Sequence, residues 1–242
     1  MKIEILYEDE DLVVVNKPAN VLSIPDRYNL KLFNVYHWAQ KRWGQIYTLH
    51  RIDKATSGIL CLSKTKEALK YYAPQFEKQV VIKEYYAFCK GVPYPEDGES
   101  LQKIAPHPTI KGKMHIHPKG KTAHTIYKTL KKWASSYSLI KVRIVTGRTH
   151  QIRVHLSNIA APIIGDELYG DGRGFYLSDV KKRVNLKKDT EEKAILDRLA
   201  LHASYIAFPE KRNEASTKIE VEAPLPKDFT AVQNQLNKCL RN

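Results

Sequence analysis

His50-Arg51-Ile52-Asp53-Lys54-Ala55-Thr56-Ser57-Gly58 sets one carboxylate between two cations, directly ahead of a turn and an apolar run. Positive neighbours and hydrogen bonds to the charged form favour an ionised Asp53, which suits a nucleophile or base better than a general acid. Taken alone, the same stretch also fits an aspartate that caps a turn. A second segment, Thr146-Gly147-Arg148-Thr149-His150-Gln151-Ile152-Arg153-Val154-His155, is a glycine turn that opens a helix and is dense in hydrogen-bond donors. Arg153 falls in the first turn of that helix, where side chains lean back toward the N-terminus, so its guanidinium can grip a carboxylate beyond the adjoining strand ends bidentately. The plainer alternative is an exposed arginine on an amphipathic helix.

Several elements must position these groups. Ile3 to Tyr7 and Leu12 to Asn16 read as a β-hairpin around the acidic turn Glu8 to Asp11, with Lys17-Pro18 closing the second strand. Leu32 to Trp43 has helical spacing through Leu32, Val35, Trp38 and Ala39. Gly58 to Ser63 reads as a buried strand, and Lys66 to Lys78 as a helix despite Pro74, with Thr65 as its N-cap. Glu84 to Cys89, Ala123 to Leu130 and Leu139 to Thr146 are rich in β-branched and aromatic residues between Gly or Pro turns, which predicts antiparallel sheet. After Gly147 a strand hands over to a helix carrying Ile152, Leu156 and Ile159, with Thr149 available as N-cap. Arg173 to Arg198 fits either a loosely held helix or a surface insertion. Ala200 to Phe208 and Ile219 to Ala223 read as closing strands, giving one α+β body.

The chain has 242 residues with 40 Lys and Arg against 26 Asp and Glu, a formal charge of +14, which excludes an acidic or neutral surface. With 43% apolar residues the composition is that of a packed globular protein, not a disordered tail. A field of this sign points to nucleic acid as partner, although a basic surface kept for solubility has the same arithmetic. Clustering favours the former. Lys111, Lys113, Lys119, Lys121, Lys128, Lys131 and Lys132, with His115, His117 and His124, share a segment free of acidic residues, and Lys181, Lys182, Arg183, Lys187 and Lys188 form a second run. Both can track a phosphate backbone. Three dispersed cysteines and short apolar stretches speak for a reducing cytoplasm and against export or membrane insertion.

Together the two reactive segments resemble the RluA-type pseudouridine synthases, whose signature His-Arg-Leu-Asp-x-x-Thr-Ser-Gly is met here with Ile52 at the leucine position. Further matches follow in the family's order: Leu12 to Pro18, Lys83 to Ala87 with Gly91, Thr146 to His155, Gly165-Asp166 with Tyr169-Gly170, and Leu201-His202-Ala203. Ala19-Asn20 departs from the family's small residue and glycine, but Asn tolerates positive φ. The resemblance spans roughly residues 3 to 225. It implies one catalytic domain over residues 1–242, with a mixed, mainly antiparallel sheet flanked by helices and loops, a central catalytic cleft, and no separate N-terminal RNA-binding domain.

The implied reaction detaches uracil from C1′ of a ribose in structured ribosomal or transfer RNA, turns it, and rejoins it through C5. Asp53 is then the catalytic aspartate, Arg153 its ion-pair partner, and Tyr85 the ring packed against the target uracil. Arg51 enters the space left by the extruded base, where a flat guanidinium can stack. His50, Thr56, Arg148, His150, Gln151 and Leu201 line the substrate site. Addition of Asp53 to C1′, removal of a C2′ proton and attack on the base are all open. The resemblance implies no metal, no cofactor, no membrane and no obligatory protein partner, hence a cytoplasmic monomer acting on RNA. Two other classes compete with it. A non-catalytic RNA binder has no need of the carboxylate. A metal-dependent hydrolase using His107, His115, His117, His150 or His155 lacks the companion Cys or carboxylate spacing.

Overall fold

A computed structural model describes residues 2–184, 190–210 and 218–240, so Lys187 and Lys188 of the second basic run lie outside the described residues. The first elements in chain order are β1 (Glu4–Glu8), β2 (Leu12–Lys17), α1 (Val35–Trp43), β3 (Tyr47–Thr48), β4 (Ser57–Ser63), α2 (Lys66–Glu77) and β5 (Ile82–Lys90). They are followed by β6 (Asp97–Ser100), β7 (Ile104–Pro106), β8 (Met114–Ile116), β9 (Thr125–Trp133), β10 (Tyr137–Ile144) and α3 (Gln151–Asn158). After these come β11 (Leu201–Pro209), β12 (Lys218–Glu222) and α4 (Lys227–Cys239). The chain divides into two compact units, Met1–Tyr85 with His202–Pro224, and Tyr86–Leu201 with Leu225–Asn242.

In the first unit β1 and β2 form the expected hairpin, whose turn is closed by the Asp9 carboxylate accepting the amides of Asp11 and Leu12 at 2.8 and 2.6 Å. The strand order is β1-β2-β4-β11, with β3 on β4 and β12 on β11; β11 runs parallel to β4 and the other named pairs are antiparallel. Every residue of β4 is buried, as its unbroken apolar run requires. Leu60 and Leu62 join Val13, Val15, Val35 and Ala39 in a cluster under α1, while Ile59 and Cys61 point to the opposite face by strand alternation. Leu32, expected within α1, instead precedes it. Asn34 takes the cap, its side-chain oxygen accepting the His37 amide at 2.8 Å. Thr65 caps α2 as expected, accepting the Ala68 amide at 3.0 Å, and Tyr72 and Phe76 of that helix set their rings against Phe208 at 5.4 and 6.4 Å.

In the second unit β10, β9 and β6 are antiparallel neighbours, and β7–β8 is a separate two-stranded ribbon. Ile104 and Met114 of that ribbon pack with Ala123 and with Val154 of α3. The 173–198 segment resolves in favour of an insertion. Among its described residues the one helical turn is the short 3₁₀ piece Leu177–Asp179, and the segment is tied at its ends by Phe175 and Leu196, both buried and joined by a 2.8 Å amide-to-carbonyl bond. Helix α4 was not expected, although Phe229, Val232 and Leu236, all buried, have helical spacing. The molecule is α+β with mixed, mainly antiparallel strands, as the sequence predicts. Among the described residues no helix is long and apolar enough to cross a membrane.

Candidate active site

Asp53 sits half-buried in a turn whose neighbours are pinned one by one. The Lys17 ammonium, fully buried at the end of β2, donates to the carbonyl oxygens of Pro18, Val21 and Lys54 at 2.9, 2.7 and 3.0 Å. Burying an ammonium is costly unless its donors are met, and here three carbonyls meet them while tying the loop after β2 to the residue following Asp53. On the other side the Ser23 hydroxyl donates to the Ile52 carbonyl at 2.8 Å and accepts the Ile52 amide at 3.3 Å. The Thr56 amide closes the turn on the Asp53 carbonyl at 3.1 Å. Asn20, at φ 62, makes the left-handed turn its residue type permits.

The strand that follows is seated by close backbone approach. Gly58 has φ +107, and a Cβ there would lie 2.1 Å from the Ala203 carbonyl oxygen, so only glycine lets β4 and β11 meet in this register. One residue earlier, the Ser57 hydroxyl and His202 Nδ1 are 2.9 Å apart in the buried interior. The Thr-Ser-Gly and Leu-His-Ala matches are thus two halves of one parallel strand contact.

Tyr85, on β5, is 7% exposed, and its phenol is pushed up first by burial, then by the Asp53 carboxylate and the Cys61 thiol. The ring therefore stays protonated within reach of the Asp53 charge. His50 stacks on Phe76 at 5.1 Å and accepts the Cys61 amide through Nε2 at 3.1 Å. Its contribution is to seat the turn on β4. Thr56 is buried, whereas Arg51 is exposed.

Burial, aided by the Lys83 ammonium, holds the His50 imidazole down at about 3 from its ordinary 6.5. The unfolded chain therefore binds this proton at a higher pH than the folded one. Stability from this group is complete above about pH 6.5 and falls by about 1.4 kcal/mol per pH unit below it, down to about pH 3. Urea midpoints recorded from pH 7 to pH 5 should show that decline, and His50→Gln should flatten it. An equal decline in the variant would assign the acid sensitivity elsewhere.

In the second unit the donor-rich turn is closed by Gln151, not by Thr149. Helix α3 starts at Gln151 behind His150, which has φ 55 and makes no side-chain cap bond. The Gln151 side-chain oxygen accepts the Thr146 hydroxyl at 2.7 Å and the Arg148 amide at 3.0 Å, which fixes the turn ahead of the helix and leaves the cap position to His150 rather than Thr149. Its amide nitrogen donates to the His124 carbonyl and the Thr125 hydroxyl, both at 2.9 Å. That hydroxyl is also 2.9 Å from His155 Nδ1, and His155 Nε2 donates to the Gln102 carbonyl. Gln151 thus supplies the shape of the turn. Arg148 donates through Nε to the Thr122 carbonyl at 2.9 Å, His150 Nδ1 is 2.9 Å from the Tyr169 hydroxyl, and Leu201 is buried at the start of β11.

Arg153 is buried rather than exposed on its helix, and within its unit it does grip a carboxylate bidentately: Nε and Nη2 each donate to Asp166 at 2.8 Å. The guanidinium lies 5.0 Å from the centre of the Tyr169 ring, and Asp166 also accepts the amides of Leu168 and Tyr169. Lys17, Ser23, Asp166 and Tyr169 are positioning residues that residue-level reading left without a role. Their signal was present, since all four lie in or beside the matched motifs. The acid-free basic run is partly neutralised from β6 and the residue before it, with His124 on Glu99 at 2.7 Å and Lys132 on Glu96. Among the described residues no group of three or more His, Cys, Asp or Glu is placed to hold a metal ion.

Known proteins share this fold. Human RNA pseudouridylate synthase domain containing 4 superposes with a TM-score of 0.74 at 25% identity, over 97% of this chain and 93% of its own. Human RNA pseudouridylate synthase domain containing 1 shares the fold with a TM-score of 0.68 at 24% identity, over 100% and 97%. Sequence relatives include the ribosomal large subunit pseudouridine synthase D of Haemophilus ducreyi, 32% identical over 94% of this chain and 68% of the relative. The Haemophilus influenzae protein of that name is 33% identical over 97% and 71%. The profile of RNA pseudouridylate synthases matches residues 11–158, and the chain belongs to that family. It is an enzyme, its substrate is RNA, and its reaction converts uridine to pseudouridine.

Proposed function

We propose that this enzyme isomerises uridines of large-subunit ribosomal RNA, with Asp53 as the catalytic carboxylate, Tyr85 as the ring against the target uracil and Arg153 as the ion-pair partner of Asp53. The observation that carries the reading is the pinned Asp53 turn. A carboxylate whose flanking peptides are fixed by Lys17 and Ser23, beside a buried protonated phenol, is organised before substrate arrives. Arg153, held rigid by Asp166, is assigned to orient that carboxylate. Arg51, exposed next to Asp53, is assigned to the space left by the extruded base, and Arg148, His150 and Leu201 to the walls of the substrate site. In the reaction the N1–C1′ bond breaks, C5–C1′ forms, C5 loses its proton and N1 gains one. Atoms and electrons balance within the nucleotide, so neither an oxidant nor a group donor is needed. The formal charge of +14 supplies affinity for the phosphate backbone.

The ribosomal assignment rests on the names of the Haemophilus relatives. A cytoplasmic, monomeric enzyme acting as one catalytic domain completes the reading, in keeping with three free cysteines. Unmodified large-subunit ribosomal RNA and unmodified transfer RNA, each incubated with the enzyme and mapped by carbodiimide and primer extension, test it. Pseudouridine at discrete ribosomal positions is the expected result. Modification confined to transfer RNA would overturn the ribosomal assignment.

A further inference from the structure

The loop before α1 and the outer side of that helix enclose a cavity of about 510 Å³ that no residue of the Asp53 turn lines. Its walls are of two kinds. Leu30, Leu32, Phe33 and Trp38 supply apolar and aromatic surface, with Leu30 68% and Phe33 48% exposed, while Lys31 and Lys41, both exposed, stand at its edges. The Trp38 ring is held edge-on by Trp43 at 5.6 Å. From Arg27 to Ile52 the sequence carries Arg27, Lys31, Lys41, Arg42 and Arg51 and no acidic residue. Val35 and Ala39 are the fully buried residues of α1, and Tyr36, Trp38 and Trp43 pack half-buried against the same core, but that packing does not account for the exposed Leu30, Leu32 and Phe33 of the preceding loop.

We propose that this cavity is a second RNA-docking site that takes an unstacked base of a single-stranded segment. Aromatic faces accept any base by stacking, and flanking cations track the backbone, which together form the platform that single strands require. Uncharged apolar grooves suit protein partners; here the lysines within the lining set the sign of the ligand. The proposal rests on RNA being the substrate, and binding is read separately from turnover, so loss of the ribosomal assignment leaves its test intact.

The test uses the full chain with Phe33→Ala, Trp38→Phe and the double variant Lys31→Ala/Lys41→Ala, none of them a residue assigned to catalysis or to the substrate site. Oligouridylate should quench indole emission in the parent and much less in Trp38→Phe. Affinity should fall about tenfold in Phe33→Ala. In the double variant the dependence of log affinity on log salt should flatten by about 1.4, the release of two counterions from a single strand. The rate at saturating RNA should stay at the parent value in all three. Unchanged affinity and salt slope would overturn the proposal, as would lowered saturated rates with affinity intact. Quenching by polyglutamate but not by oligouridylate would also overturn it, in favour of an acidic protein partner.

Discussion

Asp166→Asn should lower the stability of the chain by about 3–5 kcal/mol, the usual cost of removing one partner from a buried, hydrogen-bonded ion pair. The Asp166 side chain is fully buried and that of Arg153 is 9% exposed, so water is poorly placed to replace what is lost. The substitution withdraws a charge from two donors of one guanidinium and weakens the acceptor of the Leu168 and Tyr169 amides. Arg153→Lys is the complementary change. It keeps a positive charge but gives up the flat, two-point grip on Asp166, and should lose much of the activity because a flexible ammonium does not hold the fixed position proposed for this side chain. Urea denaturation of both variants, with turnover measured well below the first transition, checks the pair. A change under about 0.5 kcal/mol in Asp166→Asn, the size of an ordinary surface substitution, would show that Arg153 is held by something other than Asp166.

The second large effect is expected at Asp53. Asp53→Asn keeps the size of the side chain and leaves the bonds from Lys17, Ser23 and Thr56 untouched, since all of these engage backbone or flanking residues. It removes only the carboxylate. Turnover should fall by about 10⁴-fold or more, the upper range for loss of a positioned acid, base or nucleophile. RNA affinity should change little, because many dispersed cations carry it. Filter binding together with nucleoside composition of the reacted RNA separates the two quantities. Equal loss of binding and turnover would make Asp53 an RNA contact instead of the reacting group.

Much of this was legible where one local rule dominated. The unbroken apolar run of β4, the Thr65 cap and the acid turn between β1 and β2 each follow from neighbouring residues, and the structure repeats them. What escaped depended on partners distant in sequence. Thr149 has the right chemistry for a cap, but Gln151, buried and reaching Thr146, His124 and Thr125, takes the turn first. Phe175 and Leu196 close the 173–198 insertion across 21 positions, a separation at which periodicity carries no signal. The bidentate partner of Arg153 is Asp166, thirteen positions on and in a loop, so no spacing rule announces it. Helix α4 is a different failure. Its apolar spacing was readable, but its polar remainder masked the stripe formed by Phe229, Val232 and Leu236.

The most direct test of the central claim, that the Asp53 carboxylate drives uridine isomerisation, is tritium release. RNA transcribed with uridine labelled at C5 loses that label to water each time C5 bonds to C1′. The parent enzyme should release tritium in step with the pseudouridine found in the same RNA, and Asp53→Asn, at equal bound RNA, should release none above background. Release by the variant at a rate near that of the parent would contradict the account.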